Sequence, residues 1–359
     1  MKKLRLIGVC VLAFAGIFFP VLGAQAETAP ALGDLNGDGV FSAADAAVML
    51  RFGGTDVLCA DERPDCDLTQ NGKIDATDVR AALLYACGGI ADLVKFSERV
   101  SSGLCDEKLF DRFSYTGVQD DLSGNYRSEN VSVTIESGHV FDSNYYLADV
   151  YVQDIACMTN VFARDEFLGK VESVEDIFSR CEGGIVGVNG DFYSLHVYGP
   201  VVRNGIVYAD RVADNWDIAV LRANGELVTF DYGTLTQEAL FALSPYQTWV
   251  FGPSLLDEDG HAKTYFRSSV KPANPRTVLG YYEPGHYALM VVDGRTSQSE
   301  GITMEDLADF CEELGFAVAY NLDGGRSSVM ISQSGPIDAP YLGGRSCSDC
   351  LAVRELPTE

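Results

Sequence analysis

Two twelve-residue segments with the same spacing of oxygen-bearing side chains place the tightest constraint on this chain. Residues 34–45 read DLNGDGVFSAAD and residues 67–78 read DLTQNGKIDATD. Each segment has oxygen side chains at positions 1, 3, 5, 9 and 12, and glycine at position 6. This pattern wraps a hard cation in oxygen ligands, with the position 7 carbonyl as a further ligand and the glycine making the sharp turn. A single match would be an ordinary solvated turn, but two in register, each followed by a helical pattern, predict calcium binding.

The predicted calcium ligands of the first loop are Asp34, Asn36, Asp38, the Val40 carbonyl, Ser42 and Asp45. Those of the second loop are Asp67, Thr69, Asn71, the Lys73 carbonyl, Asp75 and Asp78. Thr69 takes the place of the usual Asn or Asp at position 3, so the second site is expected to be the weaker one.

The two loops resemble a dockerin, a small all-α module that binds the cohesin domain of a scaffold or cell-surface protein. Each loop leads into a helical pattern, over residues 43–51 and 76–86, with no entering helix, and each ends in Asp where an ordinary EF-hand has Glu. The resemblance covers about residues 32–89 and implies Ca²⁺ as a cofactor and a cohesin as a partner. Residues 59–66 look like a cysteine-closed insertion between the repeats.

The first 26 residues have the features of a secretory signal peptide. A basic start precedes an apolar run over residues 6–22, and Ala24-Gln25-Ala26 forms a cleavage site. A retained membrane anchor is the alternative, but the Ala-x-Ala ending favours cleavage. No second apolar stretch approaches the roughly 20 residues that a membrane span needs. We therefore expect a secreted, extracellular protein without a span in its mature chain, attached to a surface through the dockerin.

Charge and cysteine content narrow the possible partners and the compartment. The formal net charge is −26, which argues against nucleic acid because that ligand requires many Lys and Arg side chains. In an oxidising compartment some of the 10 cysteines should pair. Cys59 with Cys66 and Cys347 with Cys350 are plausible local disulfides, although the sequence leaves the connectivity open. A zinc site at Cys347-x-x-Cys350 is less favoured, since no second ligand pair accompanies it.

Beyond residue 130, strand-like runs alternate with two helical patterns and predict an α+β domain built on a mixed sheet. The runs cover residues 131–135, 145–155, 185–188, 218–221, 287–292 and 316–320, and the helices cover 173–180 and 303–315. The predicted organisation is a signal peptide (1–26), the calcium-binding module (27–90), a linker and irregular start (91–124) with helical character over 93–100, and a large domain (125–359).

Polar residues follow several of these strands. Asp323 comes after a buried run and precedes Gly324 and Gly325, where bare backbone admits a ligand. Asn189 and Asp191 follow the run at 185–188 in the same way. Each segment alone is an ordinary turn former. Their recurrence at strand ends is the usual way in which a rigid sheet positions a site.

Taken in order, these segments resemble the phosphodiester glycosidase family. The matching residues are 188–193 (VNGDFY), 199–205 (GPVVRNG), 251–255 (FGPSL), 274–277 (NPRT), 293–295 (DGR), 301–303 (GIT) and 321–325 (NLDGG). Arg345, ahead of a closing strand at 351–354, matches the family's late arginine. The resemblance covers about residues 130–354. Arg326 stands where the family commonly has a third consecutive glycine, which bears on substrate choice and activity.

The resemblance implies cleavage of a sugar 1-phosphodiester, which releases the sugar and leaves a phosphomonoester. A phosphate leaving group needs its charge held, which arginine does bidentately, and the sugar carbon needs a carboxylate. The implied catalytic residues are Asp323, Asp191 and Arg276. The implied substrate-binding residues are Asn189, Asn321, Gly324, Gly325, Asp293, Arg295, Arg326 and Arg345. A structural ion pair between Asp293 and Arg295 is the alternative for those two.

Other side chains near these segments are expected to have lesser roles. Ser327 and Ser328 are interpreted as loop-capping hydroxyls, because no Gly-x-Ser-x-Gly elbow is present. His196 is the histidine to test as a base. No metal is implied with certainty in the large domain.

The leading hypothesis is a secreted hydrolase that cleaves a sugar 1-phosphodiester of the N-acetylglucosamine type in a phosphorylated glycan or polysaccharide. A non-catalytic glycan-binding module is one alternative. A metal-dependent phosphodiesterase that cuts the P–O bond is another.

Overall fold

Helices dominate the N-terminal part of the chain, and strands dominate the rest. The computed structural model describes residues 32–36, 38–52, 63–194, 199–212 and 215–357, so the predicted signal peptide, Cys59 and His196 lie outside it. The α-helices are α1 (Ala43–Phe52), α2 (Ala76–Ala86), α3 (Leu93–Ser102), α4 (Val174–Phe178), α5 (Gln237–Ala242) and α6 (Met304–Glu313). Among the described residues, the helices are all too short or too polar to cross a membrane.

The strands form two large and two small sheets. In chain order they are β1 (Gln119–Asp120), β2 (Tyr126–Arg127), β3 (Val131–Val140), β4 (Ser143–Val152), β5 (Met158–Phe162), β6 (Gly184–Asn189), β7 (Val201–Arg203), β8 (Ile206–Ala209), β9 (Ile218–Arg222), β10 (Leu227–Phe230), β11 (Pro245–Trp249), β12 (Arg276–Glu283), β13 (His286–Val292), β14 (Val318–Asn321), β15 (Met330–Ser332), β16 (Gly335–Pro336) and β17 (Asp349–Arg354). The sheet orders are β1-β2-β3-β4-β13-β12-β14, β16-β15-β6-β17-β5, β10-β9-β11 and β7-β8.

The prediction of an α+β fold is confirmed, but the prediction of a mixed sheet is wrong. Every pairing between these strands is antiparallel. Short turns account for the pairs of strands that follow each other in the chain, because parallel neighbours would need long crossover connections. Phe141 and Asp142, both at positive φ, join β3 to β4, and Pro284 and Gly285 join β12 to β13.

The large domain has four layers. The inner faces of the seven-stranded and five-stranded sheets pack together through residues such as Val150, Leu289, Val188 and Leu351. Helix α6 covers the outer face of the larger sheet with its apolar stripe, which includes Leu307 and Cys311. Helix α4 covers the outer face of the smaller sheet. The two inner faces form the main core, so polar side chains at the strand ends are held on a rigid frame.

The N-terminal helices share a core that extends past the predicted module. Ala46 and Met49 of α1 and Val79 of α2 pack with Phe96 of α3 and with Phe110. The helix expected over residues 93–100 is confirmed as α3. Its apolar face therefore completes the N-terminal core.

The chain from residue 104 to 115 joins this helical core to the large sheet. Cys105 and Phe113 pack with Tyr151 of β4. The Leu104 N–H donates to the Gln153 carbonyl at 2.9 Å. The helical core is thus packed against the large domain by apolar contact and backbone hydrogen bonding.

The disulfide suggested for Cys347 and Cys350 does not form. Both are free, buried thiols in the apolar cluster beneath α4. Cys350 pairs within β17, and Cys347 forms a separate bridge with Glu172. Cys347 Sγ donates to the Arg345 carbonyl, and Cys350 Sγ donates to the Leu351 carbonyl. Backbone pairing holds the chain in place at both cysteines, and their thiols pack in the apolar cluster. Burial raises the pKa of Cys347 to about 12, so this thiol is unreactive at neutral pH.

Candidate active site

Strand ends from both large sheets meet at one edge of the domain. Asn321 ends β14 and pairs with Val278 of β12, which begins at Arg276. Asn189 ends β6 and pairs with Cys350 near the start of β17. A cleft of about 310 Å³ opens at this edge. It is lined by Phe251, Ser269, Val270, Pro272, Asn274, Arg276, Arg295, Asp323, Gly324, Gly325 and Arg345.

Asp323 lies in the cleft wall and is held by three donors. Its Oδ1 accepts the Gly324 N–H at 2.9 Å, and its Oδ2 accepts the Ser327 hydroxyl and Arg345 Nη2, each at 2.5 Å. Arg345 Nε also donates to Ser327 Oγ at 2.5 Å. The guanidinium lies over the Phe192 ring, 4.8 Å from its centroid. Asp323 is only 4% exposed, so its carboxylate is oriented and its charge is compensated before any ligand arrives.

Arg276 is a buried cation whose partners are carbonyl groups. Its Nη2 donates to Val270 at 2.6 Å and to Pro272 at 2.7 Å, and its Nε donates to Ile302 at 3.2 Å. Among the described residues, Arg276 forms no ion pair with a carboxylate. Burial lowers its pKa to about 10, and the nearby positive charge of Arg295 acts in the same direction. An anion in the cleft would offset both effects.

Arg295 reaches the cleft from a strained backbone beside two glycines. Its φ is 62°, and its Nε and Nη2 donate to Asn274 Oδ1 at 3.1 and 2.7 Å. A β-carbon at Gly325 would lie 3.1 Å from Arg295 Nη2, and one at Gly324 would lie 2.9 Å from the Pro275 carbonyl. These glycines therefore let the loop pack closely against the arginine. Arg295 bonds Asn274, and its alternative ion pair with Asp293 is not formed.

The two asparagines of the predicted site are buried supports of the loops. Asn189 donates to the Asp323 carbonyl at 2.7 Å and accepts from Thr277 Oγ1 at 2.8 Å, which connects the two large sheets. Asn321 donates to the Gly252 carbonyl at 2.8 Å. Both side chains are fully buried. They hold the backbone around Asp323, and neither side chain lines the cleft.

The structure places Asp191 outside the lining of the cleft. Its Oδ1 lies 3.0 Å from Arg203 Nη2, and its Oδ2 accepts the Val250 N–H at 2.9 Å. Arg203 Nε lies 2.8 Å from Asp349 Oδ2. A β-carbon at Gly190 would lie 2.0 Å from Asp349 Oδ1. The Asn-Gly-Asp segment is thus explained locally by a buried ion-pair cluster and close packing.

Asp293 lies beside the site as one of two buried carboxyls. Burial raises its pKa to about 6. Burial likewise raises the pKa of Asp338 to about 7, and the charge of Asp293 adds to that effect. Asp338 Oδ1 accepts the Met330 N–H at 2.9 Å, while its Oδ2 has no hydrogen-bond partner among the described residues. Neither carboxyl lines the cleft.

The side chain at the unusual position 326 points away from the cleft. Arg326 Nη2 donates to the Gly344 carbonyl at 2.9 Å, and Arg326 lines a neighbouring groove. The substitution of a glycine by arginine in this loop therefore leaves the cleft open.

Ser327 and Ser328 are buried, and their hydroxyls bond other side chains: Ser327 Oγ donates to Asp323 Oδ2, and Ser328 Oγ accepts from Thr277 Oγ1. Of the described histidines, His139, His261 and His286 bond Asn144, Glu312 and Asp149, respectively, and do not line the cleft.

Sequence reasoning missed three contributors to this site. Asn274 orients Arg295, Ser327 joins Asp323 to Arg345, and the loop containing Ser269 closes one side of the cleft. Asn274 could have been chosen, because it immediately precedes the Pro-Arg-Thr segment. Ser269 has no local signal, since its position depends on the carbonyls that Arg276 binds.

The predicted calcium loops share one backbone geometry. In each, the position 1 carboxylate (Asp34 or Asp67) accepts the N–H of the position 6 glycine at 2.8 Å. The position 12 carboxylate (Asp45 or Asp78) accepts the position 9 N–H, also at 2.8 Å. Gly39 and Gly72 have φ of 84° and 82°, as the sharp turn requires.

Each loop carries oxygen-bearing side chains at the spacing that calcium binding needs, and its position 1 and position 12 carboxylates accept backbone N–H groups of the same loop. Over the parts of the chain that the structure covers, groups of three or more Cys, His, Asp or Glu side chains arranged for a metal are absent. A calcium ion would therefore draw on amide, hydroxyl and carbonyl oxygens as well as carboxylates.

Comparison with known proteins shows what the large domain is similar to. Residues 182–354 match the family model for phosphodiester glycosidases. Those residues include every arginine and carboxylate that lines the cleft. The family resemblance predicted from the short segments is thus confirmed over this part of the chain.

Two solved structures are similar to this chain at the level of fold. The zebrafish N-acetylglucosamine-1-phosphodiester alpha-N-acetylglucosaminidase catalytic domain, auto-inhibited by its pro-peptide, is 20% identical with a TM-score of 0.50, over 63% of this chain and 83% of that chain. A hypothetical protein from Synechocystis gives the same TM-score at 12% identity, over 63% of this chain and 62% of that chain.

One curated relative matches in sequence. The SPbeta prophage-derived uncharacterized protein YomE of Bacillus subtilis (strain 168) is 28% identical over an alignment of 158 residues. The match covers 40% of this chain. The match spans only 23% of that relative's length.

Proposed function

We propose that the large domain hydrolyses a sugar 1-phosphodiester by breaking the bond between the sugar C1 and the phosphate oxygen. One observation carries the proposal: a buried arginine with no carboxylate partner among the described residues lies beside a second arginine, in the same cleft as an oriented carboxylate. Arg276 and Arg295 suit a phosphate group, and Asp323 suits the sugar carbon at which positive charge develops.

The proposed reaction assigns each group a task. The C1–O bond breaks with its electron pair remaining on the phosphate oxygen, which Arg276 and Arg295 stabilise. Asp323 stabilises the oxocarbenium-like carbon or attacks it, and Arg345 and Ser327 keep the carboxylate in position. Water supplies the oxygen that ends on the sugar, and its remaining proton leaves with phosphate or solvent.

The charge of the leaving group accounts for the composition of the cleft. Ordinary glycosidases use a second carboxyl to protonate a poor leaving group. A phosphomonoester has a second pKa of about 6 and departs without strong protonation. Asp323 is the one carboxylate among the described residues that line this cleft, which agrees with a leaving group of that kind.

Isotope transfer tests the proposal against its alternatives. The full-length protein is incubated in ¹⁸O-labelled water with N-acetylglucosamine 1-(methyl phosphate), and mass spectrometry locates the label. Label in the sugar is expected. Label in the phosphate would instead support the metal-dependent phosphodiesterase, and binding without turnover would support the glycan-binding module.

We further propose that the N-terminal loops bind Ca²⁺ and that the helical module attaches a secreted enzyme to a cohesin-bearing surface. The matched geometry of the two loops supports calcium binding. Isothermal titration should detect calcium binding to the full chain, with the first-loop site lost in Asp34→Ala and the second-loop site lost in Asp67→Ala. Unchanged titrations in both variants would contradict the assignment. A cohesin panel bound only in the presence of calcium would identify the partner.

A further inference from the structure

A second hollow adjoins the cleft and shares one arginine with it. This groove, of about 550 Å³, is lined in part by Arg326, Arg345, Gly344 and Glu175. Arg345 also lines the cleft, where it holds Asp323. A ligand in the cleft that extends past Arg345 would therefore enter the groove.

Arg326 gives the groove an available positive charge. Among the described residues, its side chain makes one hydrogen bond, from Nη2 to the Gly344 carbonyl, which orients the guanidinium and leaves its other N–H donors available. Within the described ranges, Arg326 forms no ion pair with any Asp or Glu. Arg345 already has Asp323 as its partner, and Glu175 is the one acidic side chain of the lining. In a chain with a net charge of −26, an unpaired arginine beside an anion-binding cleft creates a local site for a second anion.

The order of groups in a phosphodiester indicates what reaches the groove. If the sugar carbon lies at Asp323 and the phosphate at Arg276 and Arg295, the alcohol on the far side of the phosphate must leave the cleft. Arg345 lines both hollows, and Arg295, which is placed at the phosphate, lies over the ring of Tyr341, 5.5 Å from its centroid, between two residues that line the groove. The groove is therefore the adjoining space for that alcohol. Its other walls include Val174, Ile331 and Pro340, which suit a carbon chain between two charged groups.

We infer that this groove binds the alcohol portion of the substrate, an inference that rests on the proposed function. Arg326 then selects alcohols that carry a second negatively charged group, a phosphate or carboxylate. The substrate class is therefore a sugar 1-phosphodiester whose leaving side is itself anionic. Arg326 acts as a specificity-determining residue, since its guanidinium lies outside the cleft in which the bond breaks.

Paired substrates test this inference. The two probes are N-acetylglucosamine 1-(methyl phosphate) and the corresponding diester of 2-hydroxyethyl phosphate, and kcat/KM is measured for both at one ionic strength. Wild type should prefer the second probe. Arg326→Gln keeps a hydrogen-bond donor but removes the charge, so it should reduce the ratio of the two kcat/KM values about tenfold, as expected for one charge-assisted contact. Arg222→Gln removes a positive charge that lines neither hollow and should preserve the ratio.

The inference is wrong if the ratio of the two kcat/KM values is the same in wild type and Arg326→Gln. It is also wrong if that ratio falls equally in Arg222→Gln. A separate binding measurement distinguishes failure of the subsite from failure of the proposed function. Calorimetry compares 1,2-ethanediol bisphosphate with methyl phosphate. Tighter binding of the bisphosphate that weakens about tenfold in Arg326→Gln supports the subsite even if no substrate is turned over. No preference in wild type rejects the subsite even if the methyl diester is hydrolysed.

Discussion

Asp323 is oriented by donors that come from its own loop and from a distant one. The Gly324 N–H and Ser327 are local, whereas Arg345 comes from the segment ahead of β17. A carboxylate held in this way cannot rotate away from the cleft, so its negative charge is fixed before substrate binds. Such preorganisation makes a charge effective at a carbon that becomes positive in the transition state.

Asp323→Asn should lower kcat by at least about a hundredfold, the scale of a lost electrostatic or acid–base group. The amide keeps the size of the side chain but removes the negative charge. Steady-state kinetics on the methyl diester measures the effect. Asp259→Asn, on an exposed turn, serves as the matched control. A folded Asp323→Asn protein with near-normal kcat would show that this carboxylate only positions Arg345.

The buried carboxyls Asp293 and Asp338 make stability depend on pH. Unfolded Asp titrates near 3.9, whereas burial raises the pKa of Asp338 to about 7 and that of Asp293 to about 6. Between about pH 4 and pH 7 the folded state thus binds more protons than the unfolded state, so the free energy of unfolding falls as pH rises through this window.

Asp338→Asn should remove part of that slope, because the amide does not titrate. The Tm of the variant should exceed that of wild type at pH 8 and approach it at pH 4. Thermal unfolding followed by circular dichroism across this range gives both curves. Parallel curves with a constant offset would mean that Asp338 is ionised in the folded protein throughout.

At the scale of elements, one buried arginine joins three strands. Arg203 ends β7, and it contacts Asp191 beyond β6 and Asp349 at the start of β17. Burial acts against its charge, but the two carboxylates raise its pKa above the ordinary value. The edge of the five-stranded sheet that supports the cleft is therefore tied to the small β7-β8 sheet.

Arg203→Met should destabilise the protein by about 3–5 kcal/mol, because it leaves two buried carboxylates without their partner. Urea denaturation measures the loss. Arg222→Met breaks a half-buried pair with Glu226 and should cost at most about 1 kcal/mol. Equal midpoints for the two variants would contradict the stabilising role of Arg203.

At the scale of the whole molecule, the helical N-terminal core and the large domain are joined, while their candidate sites are separate. Lys108 and Glu283 form an ion pair across the junction, 3.3 Å apart, near the contact of Phe113 with Tyr151. Among the described residues, by contrast, those that line the cleft all lie between Phe251 and Arg345. The first module can thus affect stability without contributing to the chemistry.

Deletion of residues 27–89 should leave kcat within about twofold, because no cleft residue is removed. The deletion uncovers Leu93, Phe96 and Phe110, which pack against α1 and α2 in the full chain. Apolar exposure of this kind promotes association. Kinetics and size-exclusion chromatography together test both expectations. Loss of turnover in a protein that stays folded would show that the modules share a site.

Predictions from short segments succeeded where local chemistry is sufficient. Gly39 and Gly72 make their turns because glycine tolerates positive φ, and α6 begins at Met304 because the Thr303 hydroxyl caps the helix. Asp323, Arg276, Arg295 and Arg345 were predicted to share a site, and they line one cleft. The strands of a sheet end along a common edge, so polar residues that directly follow neighbouring strands lie close together at that edge.

Tertiary structure decided which of these polar residues face the cleft. Asp191 and Asp323 follow strands in the same way, yet Arg203 and Val250 hold Asp191 in the interior. Arg326 points into the groove because Gly344, 18 positions along the chain, offers its carbonyl. The direction of a side chain depends on partners brought close by sheet pairing, and no local pattern encodes that pairing. The sequence by itself therefore determined the turns, the helix caps and the functional groups available. The packing of the sheets determined how those groups are arranged in space.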